Sequence, residues 1–123
     1  MVYFYPKDDT PGCTKEACGI RDNMTSFNRM GIKVLGISTD SVKSHIKFAD
    51  KYKLNFPLLS DEDKVACLLY GVWKPKKFLG KVYLGVARSS FLINPEGKIA
   101  KIYEQVKPEG HAQEVLNDVQ NMT

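Results

Sequence analysis

Apolar residues follow two rhythms along this chain. Val2-Tyr3-Phe4-Tyr5 is an unbroken apolar run that stops at Pro6, the pattern of a strand buried on both faces. Residues 6–12, Pro-Lys-Asp-Asp-Thr-Pro-Gly, are rich in turn formers. From Cys13 the spacing becomes helical: Ala17, Ile20, Met24 and Phe27 share one face, and this helix should end before Gly31. Ile32 to Ser38 reads as a second buried strand. Asp40 or Ser41 can cap a helix reaching about Leu54, with Val42, Ile46 and Ala49 turned inward. Pro57-Leu58-Leu59 is a short extended piece, and Asp61 can cap a third helix that Gly71 terminates. Residues 72–87 are expected to form a long loop or irregular segment. Ser89 to Ile93 and Ile99 to Val106 read as strands joined by the turn Asn94-Pro95-Glu96-Gly97. A last helix after Pro108 would bury Ala112, Val115, Leu116 and Val119.

This order calls for a parallel β-α-β crossover followed by an antiparallel hairpin at the sheet. The predicted fold class is α/β, a thioredoxin-like fold with a central mixed β-sheet flanked by helices. The 123 residues suit one domain, 1–123.

Composition narrows the function classes. At 43% hydrophobic and 26% charged, the chain reads as globular rather than disordered. The net charge of +4 is mild. Its densest patch, Lys74, Lys76, Lys77 and Lys81, is read as a solvated loop, and without a basic stripe or fold motif no nucleic-acid partner is expected. No apolar run approaches the ~20 residues of a membrane span. Without a secretory signal, and with an odd count of three cysteines, the chain is expected in a reducing compartment, the cytoplasm. The cysteines and histidines lack ligand spacing, so no metal or other cofactor is expected, and His45 and His111 are placed at the surface.

The chemistry concentrates where the turn-rich loop enters the first helix. The first backbone N–H groups of a helix have no internal partners, and the helix dipole adds partial positive charge there. Both stabilise a thiolate, the nucleophilic form of cysteine. Position alone leaves Cys13 two readings, a reactive thiol or a small apolar residue filling the helix start.

Pro6, Thr10 and Cys13 stand in the spacing P-x-x-x-T-x-x-C. With YFYPKDDTPGCTKEACGIRDN, YGVW at 70–73, KKFLGKVYLGVARSSFLINPEGKI at 76–99 and KPEGHAQEVL at 107–116, almost the whole chain resembles the peroxiredoxin family, specifically its Q-type or bacterioferritin comigratory branch. The resemblance implies a thiol peroxidase acting on hydrogen peroxide and organic hydroperoxides. It implies that Cys13 is the peroxidatic cysteine, that Thr10 hydrogen-bonds thiolate and peroxide, and that Pro6 shields the site from water. It also implies that Arg88 returns from a distant strand to face Cys13. Cys18 would be the resolving cysteine, forming an intramolecular disulfide that thioredoxin or a similar dithiol reductant recycles. Ser90 and Asn94 stand where relatives often carry threonine and aspartate. Relatives also carry an N-terminal segment with a hairpin ahead of the first core strand. The chain is expected to lack it, to leave some sheet edge or core surface uncovered, and to be a monomer or weak homodimer.

Two physical arguments sharpen this picture. Lowering a cysteine pKa from about 8.5 to ~6 raises the thiolate fraction at neutral pH roughly 30-fold. Nucleophilicity falls with pKa, at a slope of about 0.4–0.5 for disulfide exchange, and takes back roughly 10- to 18-fold. Fast peroxide reduction therefore needs fixed donors around the charge that develops as the O–O bond lengthens, and Arg88, Thr10 and the Cys13 N–H are the candidates. Second, five residues along a helix separate two Cα atoms by about 8–9 Å, beyond the ~7 Å limit for a disulfide. Cys13 and Cys18 cannot bond while the helix is intact, so oxidation should unwind its first turns, a step that Gly19 eases.

Cys67 lies in the third helix without a motif and is read as structural. Trp73 and Phe78 either line the approach to the site or pack. Two rival readings remain. A thioredoxin-type thiol–disulfide oxidoreductase would usually carry C-x-x-C, where this chain has C-x-x-x-x-C. A non-enzymatic redox sensor or holdase would use the same thiol without turnover.

Overall fold

The computed structural model describes residues 1–122. Its elements are β1 (Val2–Phe4), α1 (Pro11–Asp22), α2 (Met24–Arg29), β2 (Leu35–Ser38), α3 (Val42–Tyr52), β3 (Leu58–Ser60), α4 (Val65–Leu69), β4 (Trp73–Phe78), β5 (Lys81–Val86), β6 (Ser89–Ile93), β7 (Ile99–Tyr103) and α5 (His111–Met122). Five strands form one sheet in the order β3-β2-β1-β6-β7, with β1, β2 and β3 parallel and β6 and β7 antiparallel. This is the mixed sheet the pattern predicts.

The central strand β1 sorts the core by its alternation. Tyr3 and Tyr5 point into the larger cluster with Cys13, Ala17, Ile20, Phe27, Phe48, Val115 and Leu116, which joins α1, α2, α3 and α5. Phe4 points to the opposite face, with Ile37, Cys67, Val72, Val86 and Phe91. Among the described residues no helix is long and apolar enough to cross a membrane.

Four expectations are corrected. The first helix begins at Pro11, before Cys13, and is interrupted at Asn23, whose side chain donates to Gly19 O at 2.7 Å. That side-chain bond competes with the helical ladder, and the helix restarts as α2 at Met24. Helix α3 turns a different face inward: His45 and Phe48 are buried, while Val42 and Ile46 are 60% and 58% exposed. Phe48 and Tyr52 form their own helical stripe, bury more apolar area than Val42 and Ile46, and stack edge-on at 5.6 Å. Residues 72–87 hold an antiparallel ribbon, β4 paired with β5 in a separate two-stranded sheet. Its apolar residues do not alternate with the polar ones, so the period-two signal of a strand is absent. His45 and His111 are buried, not at the surface, because each finds polar partners inside.

The Asp61 carboxylate caps the first turn of α4 from the turn that precedes the helix, three residues before the N-cap position Lys64, accepting the backbone N–H groups of Ala66 at 3.1 Å and Cys67 at 2.8 Å.

Candidate active site

Cys13 is the third residue of α1. Thr10 occupies the N-cap position in an extended conformation, Pro11 supplies the preset first helical φ, and the first helical bond runs from the Thr14 N–H to Thr10 O at 2.8 Å. The N–H groups of Gly12 and Cys13 therefore have no partner four residues back in the helix. The Cys13 side chain is buried, 2% exposed, against Tyr3, Tyr5 and Ala17.

Arg88, in the link between β5 and β6, reaches this sulfur. Its Nη2 lies 3.4 Å from Cys13 Sγ, and its Nη1 donates to Glu16 Oε1 at 2.7 Å. Burial works against the guanidinium charge, but the charges of Cys13 and Glu16 outweigh it and hold Arg88 protonated. Glu16 is one helical turn beyond Cys13, on the same face, and is almost fully buried. Burial pushes its carboxyl up to about 7 against the pull of Arg88. Its other oxygen, Oε2, and the Tyr3 hydroxyl are the two buried side-chain polar atoms without a hydrogen-bond partner among the described residues. Tyr3 resists ionisation because of burial first, then the neighbouring charges of Glu16 and Cys13. The sequence reading missed Glu16. The available signal was an acid three residues after the cysteine on a helix, which is common on solvated faces.

Gly12 makes room for this arrangement. A Cβ added there would stand 3.1 Å from Arg88 Nη2 and 3.4 Å from Pro108 Cγ. The guanidinium crosses the helix where a side chain would otherwise sit.

The remaining candidates divide. Thr10 is adjacent in the loop, but its hydroxyl donates to Lys7 O at 2.8 Å, so the expected hydrogen bond to the sulfur is not made. The hydroxyl proton is taken by the loop backbone, leaving its oxygen as an acceptor. Pro6 is half-buried and lines a cavity of about 320 Å³ with Lys7, Thr39, Trp73, Lys76 and Val86. Trp73 thus does face this side, whereas Phe78 is far out on the ribbon at 64% exposed. Cys18 is half-buried in the same unbroken helix, beside Lys15, Asp22 and the Pro108–Gln113 segment, and all three cysteines are free. Cys67 is fully buried, and burial, then its bond to Asp61, pushes its thiol up to about 12.

The loop that carries Thr10 is pinned by Asp8. One carboxylate oxygen accepts from the Tyr5 hydroxyl at 2.6 Å, and the other accepts from Ser44 Oγ and His45 Nδ1, both at 2.7 Å. The Asp8 N–H donates to Asp40 Oδ2 at 2.8 Å. His45 Nε2 lies 3.1 Å from Leu59 O. Both ring nitrogens face acceptors, so the imidazolium fits this site best. Burial disfavours that charge, yet the Asp8 bond and charge raise the His45 pKa overall. His111 sits oppositely: its Nε2 pairs with Ser90 Oγ at 2.7 Å and its Nδ1 with Glu114 at 2.9 Å, and burial lowers its pKa.

A sulfur held in the first turn of a helix with an arginine on it is built for nucleophilic redox chemistry, and comparison with known proteins gives the same class. The AhpC/TSA family profile matches residues 1–102, and the chain belongs to this family. Peroxiredoxin Bcp of Escherichia coli is 52% identical over 117 residues, covering 95% of this chain and 75% of that protein. Peroxiredoxin Bcp of Bacillus subtilis is 44% identical over 123 residues, 100% of this chain and 78% of that protein. Among solved structures, the Xanthomonas campestris bacterioferritin comigratory protein superposes with a TM-score of 0.95 at 43% identity, covering 99% of this chain and 77% of its own. That structure comes from trapped intermediate and ligand complexes in work on alkyl peroxide reduction. A Xylella fastidiosa PrxQ variant gives a TM-score of 0.94 at 42% identity, covering 98% of this chain and 75% of its own. The chain is a peroxiredoxin of the Bcp or Q type, a thiol-dependent peroxidase with the thioredoxin-like fold.

Proposed function

We propose that Cys13 is the peroxidatic cysteine and that Cys18 resolves it. The Cys13 thiolate attacks the near oxygen of ROOH. An S–O bond forms as the O–O bond breaks, the departing oxygen leaves as ROH with a proton, and Cys13 becomes a sulfenic acid. The Cys18 thiol then attacks that sulfur, water leaves, and a Cys13–Cys18 disulfide results. A thioredoxin-like dithiol returns both to thiols by disulfide exchange.

The observation that carries this reading is the 3.4 Å contact of Arg88 Nη2 with Sγ in the first turn of α1. The guanidinium and the unpartnered N–H groups of Gly12 and Cys13 stabilise the thiolate and then the negative charge passing to the peroxide oxygens. Glu16 orients Arg88. Thr10, its proton committed to Lys7 O, keeps a lone pair to accept the hydrogen of the peroxide. Pro6 closes the side of the site facing β4 and β5. The near-complete burial of Cys13 favours a slim electrophile such as a hydroperoxide over a protein disulfide, which needs an open sulfur for exchange. In this reading the chain works as a single cytoplasmic domain, monomeric or weakly dimeric, without metal or other cofactor.

The resolving step has a conformational requirement. Cys13 and Cys18 sit five residues apart in one continuous helix, about 8–9 Å between Cα atoms, and disulfides span less than ~7 Å. The first turns of α1 open before the disulfide closes.

The test is hydrogen peroxide consumption with a dithiol reductant, with Cys13→Ser as control, and mass spectrometry after one equivalent of peroxide. Turnover lost in Cys13→Ser and a Cys13–Cys18 disulfide are expected. Full turnover by Cys13→Ser would overturn the assignment, and a persistent Cys13 sulfenic acid would remove Cys18 from it.

A further inference from the structure

The β4–β5 ribbon carries an exposed surface that the peroxidase chemistry does not use. From Lys74 to Leu84 every residue except Lys76 is exposed. Phe78, Leu79 and Val82 near the tip are 64%, 86% and 69% exposed, and Tyr83 and Leu84 behind them are also open. Lys74, Lys77 and Lys81 surround them, while Lys76 bends back to donate to Val86 O at 2.9 Å. No Asp or Glu occurs between Asp63 and Glu96. An exposed apolar cluster rimmed by charge of one sign marks an interaction surface.

The turn adds a second observation. Leu79 and Gly80 connect the paired residues Phe78 and Lys81 with φ of 52° and 79°. Two positive φ values in a two-residue hairpin define the primed turn that suits Asn-Gly or Gly-Gly. A leucine at its first position is strained, and here it is also the most exposed large apolar side chain of those in the ribbon. Neither turn geometry nor packing within the chain accounts for it.

We propose that the β4–β5 ribbon is a peripheral docking element for anionic lipid surfaces, with Phe78, Leu79 and Val82 entering the headgroup boundary and Lys74, Lys77 and Lys81 meeting the phosphates. The register argues for a lipid surface over a protein one. Lys77 and Val82 are paired on one face of the ribbon, and Phe78 and Lys81 on the other, so each face mixes apolar groups with cations. A protein partner would cover one face and leave the other exposed, whereas a headgroup layer surrounds the tip on all sides. Interfacial elements enter by about 5–10 Å, and at about 3.4 Å per residue that depth takes in the turn and the adjacent residue pairs. Lys77 and Lys81, level in the register with Val82 and Phe78, reach phosphate level by extending their long side chains back along the ribbon. Lys74, three residues farther from the tip, faces the phosphates from above, within the Debye length of about 8 Å over which attraction fades. This docking does not depend on the catalytic assignments.

The experiment is co-sedimentation of the full chain with vesicles of phosphatidylcholine alone and of phosphatidylcholine with about a third phosphatidylglycerol. Binding to the anionic vesicles only, released by high salt, is expected. Phe78→Ser with Leu79→Ser should abolish binding without changing the melting temperature or peroxide turnover. Lys77→Glu with Lys81→Glu should weaken it by roughly 25-fold or more, about fivefold for each lysine lost. Lys98→Glu, on the turn between β6 and β7, should leave it nearly unchanged. No binding to anionic vesicles, binding that survives the Phe78–Leu79 change, or equal weakening by Lys98→Glu would each overturn the proposal. So would a wild-type dimer that those ribbon changes dissociate, which would make a second copy the occupant.

Discussion

Arg88 lies across the N-terminal turn of α1 because residue 12 has no side chain. Its Nη2 stands 3.4 Å from Cys13 Sγ and only 3.1 Å from the place a Gly12 Cβ would occupy. Gly12→Ala is compatible with a helix, so its effect should fall on the guanidinium rather than on the fold. We expect kcat/KM for hydrogen peroxide to fall by roughly 10- to 100-fold, the range for a slightly displaced group. The melting temperature should change little. Steady-state kinetics beside thermal unfolding check both.

The bond of Arg88 to Glu16 assigns them different roles. Arg88→Lys keeps a charge but cannot hold Sγ and the carboxylate with separate nitrogens, and a loss of about 100-fold in kcat/KM is expected. Glu16→Gln keeps an acceptor for Nη1 and should cost less than Glu16→Ala. If the alanine variant matched wild type, Glu16 would not be orienting Arg88.

Gly19 sits inside α1, with open space where a Cβ would go. Gly19→Ala should stabilise the helix by about 1 kcal/mol. If disulfide formation requires α1 to open, the same change slows closure of the Cys13–Cys18 bond roughly fivefold while leaving sulfenic acid formation untouched. Stopped-flow fluorescence separates the two phases. Amide exchange of residues 13–20 should rise on oxidation, and equal protection in both states would end the unwinding idea.

The Asp8–His45 pair predicts a pH dependence of stability. His45 has a raised folded-state pKa, so its contribution is complete below the unfolded value of about 6.5 and fades as pH climbs through the folded value above it. Asp8 has a lowered one, held down by His45, Tyr5 and Ser44 against burial, so its contribution fades as pH falls below about 4. The pair should stabilise the fold most between about pH 4 and 6.5. His45→Ala leaves Asp8 buried without its cation and should cost about 3 kcal/mol in that window, less at higher pH. Denaturant melts across the pH range check the size and the slope.

Cys67, fully buried with its thiol pushed up to about 12, should be inert. Iodoacetamide on the reduced folded protein is expected to label Cys18 and spare Cys67. Peptide mapping reads this directly.

Much of this protein was legible in its sequence. The strands around Tyr3, Ile37 and Phe91 and the face of α5 at Ala112, Val115 and Leu116 follow from apolar spacing, because burial of near neighbours imposes that spacing locally. The ribbon at 73–86 was not, since a pair of strands that packs on little has no buried face to reveal itself by alternation. The inward face of α3 was missed because two helical stripes compete there, and only the rest of the core shows that Phe48 wins over Ile46.

The site divides in the same way. A loop, a preset proline and a cysteine in the first turn are consecutive, so local geometry alone sets the cysteine among unpartnered backbone N–H groups. That Arg88 meets Cys13, that Glu16 holds Arg88, and that Asp8 and His45 meet inside the fold were decided by the tertiary structure. These partners are 37 to 75 residues apart in the chain, and what brings their charges together is shared burial, which leaves no periodic trace in the sequence.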